Sequence, residues 1–518
     1  MKLIRNFASV GSATLLSRIL GFARDIMMAG ILGAGPVADA FVAAFRLPNM
    51  FRRILAEGVF NTAFIPLFAK ALEQEGESAA KRFSANIVSS LILVLLALTV
   101  LAEIFMPQLI LVLTTGFADD PEKFELTVLL SRICFPYLAC MSLMAAYGGI
   151  LNGLRKFFIA ALAPVLLNVV LVVVLAGLVL VSVETKFAGM IIAVGVLVGG
   201  VAQIALVAWA LKQTGYFPKL QMPKLDKGLK KFWALAIPAI LTGGVTQINI
   251  LVGTNIASAQ DSAIAYLYYA DRLYQLPLGM IGIAIGVVLL PELSRLLKSG
   301  QAEAAANVQE KSLFFGMLLT LPAATALFVI AEPIISTLFQ RGAFDGVAAN
   351  QSAKALQIFA LGLPSFVLVK VFQPSYFARE DTRTPAIFAA VSVVLNIAFS
   401  LLLFPTLGHV GIAWATSISG WANVFMLVTT LWFWRQLNLP LRALGQIAVL
   451  IVVSAIMGFG LYYLAQYLAP QFVVEAFALW WRIGALGLLI IAGALIYFVG
   501  LHLIGVAKLN EWRQLLRA

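Results

Sequence analysis

The chain reads as long apolar blocks separated by short polar breaks. Residues 87–101, 165–183 and 447–461 are plain examples. A helix needs about 20 apolar residues to cross the hydrocarbon core, whereas a barrel strand shows about ten residues of alternating polarity. These blocks do not alternate, so they predict helices. Hydropathy, Gly and Pro punctuation and charge breaks divide the sequence into fourteen spans, at 6–33, 37–69, 84–114, 126–152, 159–183, 187–211, 232–258, 264–297, 311–331, 349–377, 385–405, 409–434, 443–468 and 477–505. The expected fold is an all-α integral membrane protein with fourteen transmembrane helices.

Composition narrows the class. Of the 518 residues, 62% are hydrophobic and 12% charged, against roughly 25% charged in a soluble domain. That excludes a soluble multidomain enzyme, and so apolar a chain is not disordered. The net charge of +12 would suggest nucleic acid in a soluble protein; in a membrane protein it points to basic cytoplasmic loops instead. Twenty-three of the 36 basic residues fall in one alternating set of loops and at the termini. The other set holds only Lys123, Lys186, Arg341 and Lys354. Both termini are therefore expected in the cytoplasm. Arg18 and Arg24 interrupt the first apolar block and no clean cleavage site follows, so it reads as a retained helix rather than a signal peptide.

Several chemistries are not expected. Cys134 and Cys140 form no disulfide framework, and His409 and His502 lie too far apart for a metal site. No Gly-Lys-Ser/Thr phosphate loop is present. Neither a cofactor nor nucleotide hydrolysis is anticipated, and the function class is a transporter rather than an enzyme.

The halves echo each other. Ala38-Asp39-Ala40-Phe41 and the residues that follow resemble Ala263-Ile264-Ala265-Tyr266 and theirs. Ile65-Pro66-Leu67-Phe68 resembles Leu290-Pro291-Glu292-Leu293, and Val165-Leu166-Leu167-Asn168 resembles Val393-Val394-Leu395-Asn396. The offset is about 225 residues, or six spans. An even number of spans makes the repeats parallel, a plan used by transporters that rock two lobes about a central substrate. The expected lobes are 1–220 and 221–440, with 441–518 adding two helices outside the repeat and a cytoplasmic tail.

The sharpest signal is charge at membrane depth, which costs at least about 2.5–3.5 kcal/mol per side chain. The first span carries Arg18, Arg24 and Asp25, the second Asp39, Arg46, Arg52, Arg53 and Glu57, and the eighth Asp271 and Arg272. In the second half Lys370 is the main deep charge. Ser17, Gly21 and Arg24 share one helical face, and Arg18 and Asp25 a neighbouring one. Pro48 should kink the second span, so helical spacing leaves open whether Arg52 or Arg53 faces inward. Asp39 and Asp271 are expected to pair with arginines. Guanidiniums stay charged and fit phosphate or carboxylate, whereas a cation carrier would concentrate carboxylates. The alternative, a cation-coupled drug exporter, predicts an acidic cavity and tolerance of arginine loss.

Ser17-Arg18-Ile19-Leu20-Gly21-Phe22-Ala23-Arg24-Asp25 resembles the first helix of the MurJ/MviN family. Ala38-Asp39-Ala40-Phe41 with Phe45-Arg46-Leu47-Pro48-Asn49-Met50-Phe51-Arg52-Arg53-Ile54-Leu55-Ala56-Glu57-Gly58 resembles its second, and Tyr268-Tyr269-Ala270-Asp271-Arg272-Leu273 its eighth. The resemblance implies a lipid II flippase of the multidrug/oligosaccharidyl-lipid/polysaccharide exporter superfamily, in the bacterial inner membrane, with an exporter of another polyprenyl-diphosphate oligosaccharide as the alternative. It implies substrate-binding roles for Arg18, Arg24, Arg52 and Arg272. Ser17, Asp25, Asp39, Asn49, Arg53, Glu57 and Asp271 are the supporting cavity candidates. It also implies that the last two spans line a groove for the lipid tail. The expected assembly is a monomer, with the cell-wall synthesis machinery as a candidate partner. This sequence has Gln275 where many relatives carry Glu, and Gly253 where some carry a sodium-binding Asp.

Overall fold

The structure, a computed structural model, describes residues 2–54, 60, 63–181, 183–437, 440–474 and 477–505. Among them are eighteen α-helices. The first half holds α1 (Lys2–Leu32), α2 (Pro36–Arg52), α3 (Ile65–Gln74), α4 (Glu77–Ile104), α5 (Met106–Leu113), α6 (Pro121–Cys134), α7 (Tyr137–Gly153), α8 (Phe157–Leu180), α9 (Thr185–Gln213) and α10 (Lys227–Ser258). The second holds α11 (Ala263–Lys298), α12 (Ala302–Val329), α13 (Ala331–Phe339), α14 (Gly346–Phe377), α15 (Arg383–Leu407), α16 (His409–Phe433), α17 (Leu441–Leu468) and α18 (Leu479–Ile504). Ten helical segments among the described residues are long and apolar enough to cross a membrane.

Two of the expected spans, 84–114 and 126–152, are each broken into two helices, and proline explains the breaks. Pro66, Pro107 and Pro333 lie in the first turns of α3, α5 and α13, and Pro136 is the N-cap of α7. A proline has no N–H to give the preceding turn but loses nothing at a helix start. The repeat is visible in these details. Pro107 and Pro333 stand 226 residues apart. Asp120 caps α6 by accepting from the Lys123 N–H at 3.1 Å, and Asp345 caps α14 by accepting from the Ala348 N–H at 2.8 Å. Those caps are 225 residues apart.

The described chain forms two compact units, Met1–Ala265 and Tyr266–Ala518. The repeat places its boundary near 220 because it tracks symmetry; the contact boundary lies later because α10 packs on α4 and α5. In the first unit α8 packs between α1 and α9, and α2 lies on α6. Gly33, at φ +66°, makes the turn between α1 and α2. The core is aromatic, with Phe60, Phe64 and Phe68 all fully buried. The basic connection before α10 is tied to α4. Asn86 donates to the Lys224 carbonyl at 2.7 Å and to Asp226 at 2.9 Å, and Asp226 in turn caps α10.

In the second unit α14 packs against α12 and α16, and α15 against α16. The two helices beyond the repeat are integral to it: α17 lies on α12, and α18 on α17 and α13. Buried tyrosines pin these contacts, with Tyr376 donating to the Leu427 carbonyl at 2.7 Å and Tyr497 to the Leu318 carbonyl at 2.9 Å. The outward faces of α15, α17 and α18 are covered with exposed Leu, Ile, Val and aromatic side chains, the surface that a helix presents to lipid.

Candidate functional site

The α1 face predicted from Ser17, Gly21 and Arg24 meets one polar side chain in the apolar run of α8. Asn168 donates to the Ser17 carbonyl at 2.9 Å and to the Ser17 hydroxyl at 3.2 Å. With its amide nitrogen so engaged, its oxygen is aimed at Arg24 and accepts from Nη1 at 3.0 Å. On its other edge, Arg24 donates to Asp25 Oδ1 from Nε at 3.0 Å and from Nη2 at 2.7 Å. Both side chains are largely buried. The Arg24 guanidinium is thus held in one orientation from both sides, and a charge-assisted fork of this kind is pre-organised for an oxyanion.

The second cation group is on α2. Arg52 Nε donates to Asn49 Oδ1 at 3.3 Å, and Asn49 donates back to the Phe45 carbonyl at 3.2 Å. Arg46 donates to the Thr254 hydroxyl of α10. Directly after Arg52 the backbone loosens into π-helical geometry at Arg53 and Ile54, a distortion common at functional sites. Arg18 and Arg53 are exposed, while Arg52 is partly buried. Tyr137, at the start of α7, is buried and lies within electrostatic reach of both Arg24 and Arg52, so the two arginines share a neighbour. Glu57 lies outside the described residues.

Asp39 corrects the expectation that it pairs with an arginine. It is fully buried in the first turns of α2 and accepts from Lys123 Nζ of α6 at 2.9 Å. It also accepts from the Ser262 and Ala265 amides, at 2.9 and 2.8 Å, where the chain leads from α10 into α11. Lys123 lies 4.2 Å over the Phe117 ring and 3.4 Å from Asp261. The reason is tertiary: α6 packs along α2 and brings a lysine from an apparent loop into the interior. Asp39 is spent on Lys123 and on backbone amides, and Asp25 is bonded to Arg24.

In the second unit, the Arg272 guanidinium lies 4.7 Å from the Tyr268 ring centroid, one helical turn away, and 3.9 Å from Asp271. Gln275 donates to Asp271. An ionised Glu at 275 could not make that bond, so this departure gives Asp271 a partner. Lys370 is exposed, its stem against Gly282 of α11. Among the described residues no group of three or more His, Cys, Asp or Glu could hold a metal ion.

Sequence reasoning missed Lys123, Asn168 and Tyr137 as parts of the site. Asn168 had a signal, since it is a lone amide in an otherwise apolar run and recurs in the repeat as Asn396. The roles of Lys123 and Tyr137 depend on helix packing and had none.

Residues 28–481 match the family model described as lipid II flippase MurJ. A protein of Rhizobium meliloti (strain 1021) described as a probable lipid II flippase MurJ is 47% identical over 515 residues, which cover 99% of this chain and 96% of that protein. One of Rhizobium tropici with the same description is 46% identical over 518 residues, covering 100% and 97%. A solved structure of lipid II flippase MurJ in an inward closed conformation aligns with a TM-score of 0.79 at 26% identity, over 96% of this chain and 98% of its own. An inward-facing multidrug resistance MATE family transporter of the MOP superfamily shares the fold at a TM-score of 0.68 and 15% identity, over 85% and 98%.

Proposed function

This chain belongs to the lipid II flippase MurJ family, and from that premise we propose that it flips lipid II from the cytoplasmic to the outer leaflet of the bacterial inner membrane by alternating access. Lipid II is the undecaprenyl-diphosphate-linked peptidoglycan precursor, so the activity supports cell-wall synthesis. The observation that carries the reading is the Arg24 fork. A guanidinium at membrane depth, oriented by Asn168 and Asp25, in spans whose arginines outnumber their carboxylates, suits a diphosphate and not a cation.

Arg24, Arg52 and Arg272, helped by Arg18, take the diphosphate and sugar. Ser17 and Asn49 hold the amides and guanidiniums in place, and Arg53 and Glu57 complete the polar surroundings. The prenyl tail stays in lipid along α17 and α18. Phosphate charge relieves the mutual repulsion of the arginines, which favours closure over the head group. Release follows when Asp271 draws Arg272 back from the head group. Asp39 has no part in that exchange, because Lys123 holds it. The lobes 1–220 and 221–440 rock while 441–518 guides the tail, and the chain works as a monomer without nucleotide hydrolysis. The basic loops place both termini in the cytoplasm. The membrane potential, about 2.3 kcal/mol per charge per 100 mV, is available to reset the empty carrier.

Depletion in the native bacterium tests this reading. Lipid II should accumulate on the cytoplasmic leaflet, out of reach of an externally added probe. An unchanged distribution between leaflets would refute it.

A further inference from the structure

Two arginines in the second unit have no part in the proposed transport site. Arg482, near the N-terminus of α18, is 4% exposed. Its Nη1 donates to the Ser336 and Gln340 carbonyls, both at 3.3 Å. Arg341, just after α13, donates from Nη2 to the Thr337 carbonyl at 2.9 Å and the Leu338 carbonyl at 2.6 Å. Both guanidiniums therefore converge on the last turn of α13. A helix C-terminus carries roughly half a negative charge, which is too little for two full positive charges. Neither guanidinium forms an ion pair with a carboxylate among the described residues. Asp345, the carboxylate next in the chain, caps α14.

The surplus extends to donors. Arg341 Nε and Arg482 Nε are buried without a hydrogen-bond partner, as are the hydroxyls of Ser336 and Thr337 on the same turn. Leaving such groups unmet is costly, and more so when they are charged. Burial first, then the Arg482 charge, push the pKa of Arg341 below the ordinary arginine value. These are the properties of an oxyanion site. The neighbours indicate what carries the anion. Trp480 and Trp481, immediately before Arg482, are 80% and 66% exposed, and exposed tryptophans at a helix end mark the level of lipid head groups.

We propose that Arg341 and Arg482, with the Ser336 and Thr337 hydroxyls, bind the phosphate of a membrane lipid at the bilayer interface beside the start of α18. By its chemistry the site takes a lipid-anchored phosphodiester or diphosphate. It lies within the second unit and does not depend on what the chain transports.

The test uses the full-length protein in phosphatidylcholine nanodiscs, in an Arg24→Ala background that weakens the site on α1. Native mass spectrometry measures retention of phosphatidylglycerol in one arm and undecaprenyl diphosphate in another, with inorganic pyrophosphate as the soluble arm. Arg482→Gln and Arg341→Gln should each weaken retention of at least one lipid about tenfold, equivalent to about 1.4 kcal/mol. Whichever lipid responds identifies the source. Arg482→Lys should retain part of the affinity. Melting temperatures in the same nanodiscs report folding, and the Arg341 variants keep the test open if Arg482→Gln does not fold. Lower melting temperatures with unchanged lipid retention would show helix capping alone and overturn the proposal. Pyrophosphate binding as tight as lipid binding would overturn the lipid assignment.

Discussion

Asn168 in α8 and Asn396 in α15 occupy equivalent places in the repeat, yet they do different work. Asn168 is fixed by Ser17 and turns its oxygen to Arg24. Asn396 donates to the Thr416 and Ser419 hydroxyls of α16, at 3.2 and 3.3 Å, and so joins two neighbouring helices. The same contrast recurs between α5 and α6 and between α13 and α14. In the first unit Gly116 fits so closely that an added Cβ would lie 2.5 Å from the Ala259 backbone, and its N–H donates to Ser258. The position 225 residues later is Arg341. A shared helical plan has thus been given its cations in different places. The first unit concentrates them on α1 and α2, at membrane depth. The second sets a pair at the end of α13, next to the exposed Trp480 and Trp481. The scaffold repeats because packing requires it; the charges do not, because each polar group inside a membrane must be matched locally.

Substitutions can break this comparison in order of effect. Lys123→Ala should be the most damaging to stability. It leaves Asp39 buried with its amide contacts but no counter-charge, and removing one member of a buried pair costs about 3–5 kcal/mol. Thermal unfolding in detergent would measure it, and Lys123→Arg should recover a part. Next come the paired amides. Asn168→Ala should slow flipping about tenfold, as expected for about 1.4 kcal/mol of lost orientation, and lower the melting temperature, because Asn168 also ties α8 to α1. Asn396→Ala should lower the melting temperature while leaving flipping near normal. Equal effects on flipping would erase the contrast between the units.

A smaller effect is expected at the connection between α14 and α15. Asp381 accepts from the Thr384 N–H at 3.0 Å, and that bond holds its carboxyl below the usual range. Asp381→Ala should cost about 1 kcal/mol, as for other lost caps. Because the folded pKa is depressed, the contribution is complete above the ordinary carboxylate pKa and fades as pH falls through the folded value. Unfolding of wild type and variant should therefore converge in acid. Lys370→Ala should change flipping least, since its side chain is exposed on α14 and stands outside both cation groups.

Much of this was legible in the sequence. Apolar blocks mark helices because the bilayer demands them, and charge within those blocks marks function because it is expensive there. Ser17 and Arg24 could be placed on one face from spacing alone. Partners could not be read, because helical periodicity describes one helix and not what packs on it. Asp39 met Lys123 instead of an arginine for that reason, and Tyr137 gained its place near Arg24 and Arg52 only through the approach of α7. The choice between Arg52 and Arg53 turned on backbone geometry after Pro48, which spacing cannot resolve; in the structure Arg52 is the more buried and bonded to Asn49.

The central claim is that the oriented Arg24 guanidinium binds the phosphate-bearing head group. It is tested most directly by equilibrium binding of lipid II to the purified full-length protein in nanodiscs, comparing wild type with Arg24→Ala. At least a tenfold loss of affinity per folded protein is expected, about 1.4 kcal/mol, together with a lower melting temperature, because one member of a largely buried ion pair is removed. Wild-type affinity in a folded Arg24→Ala protein would contradict it.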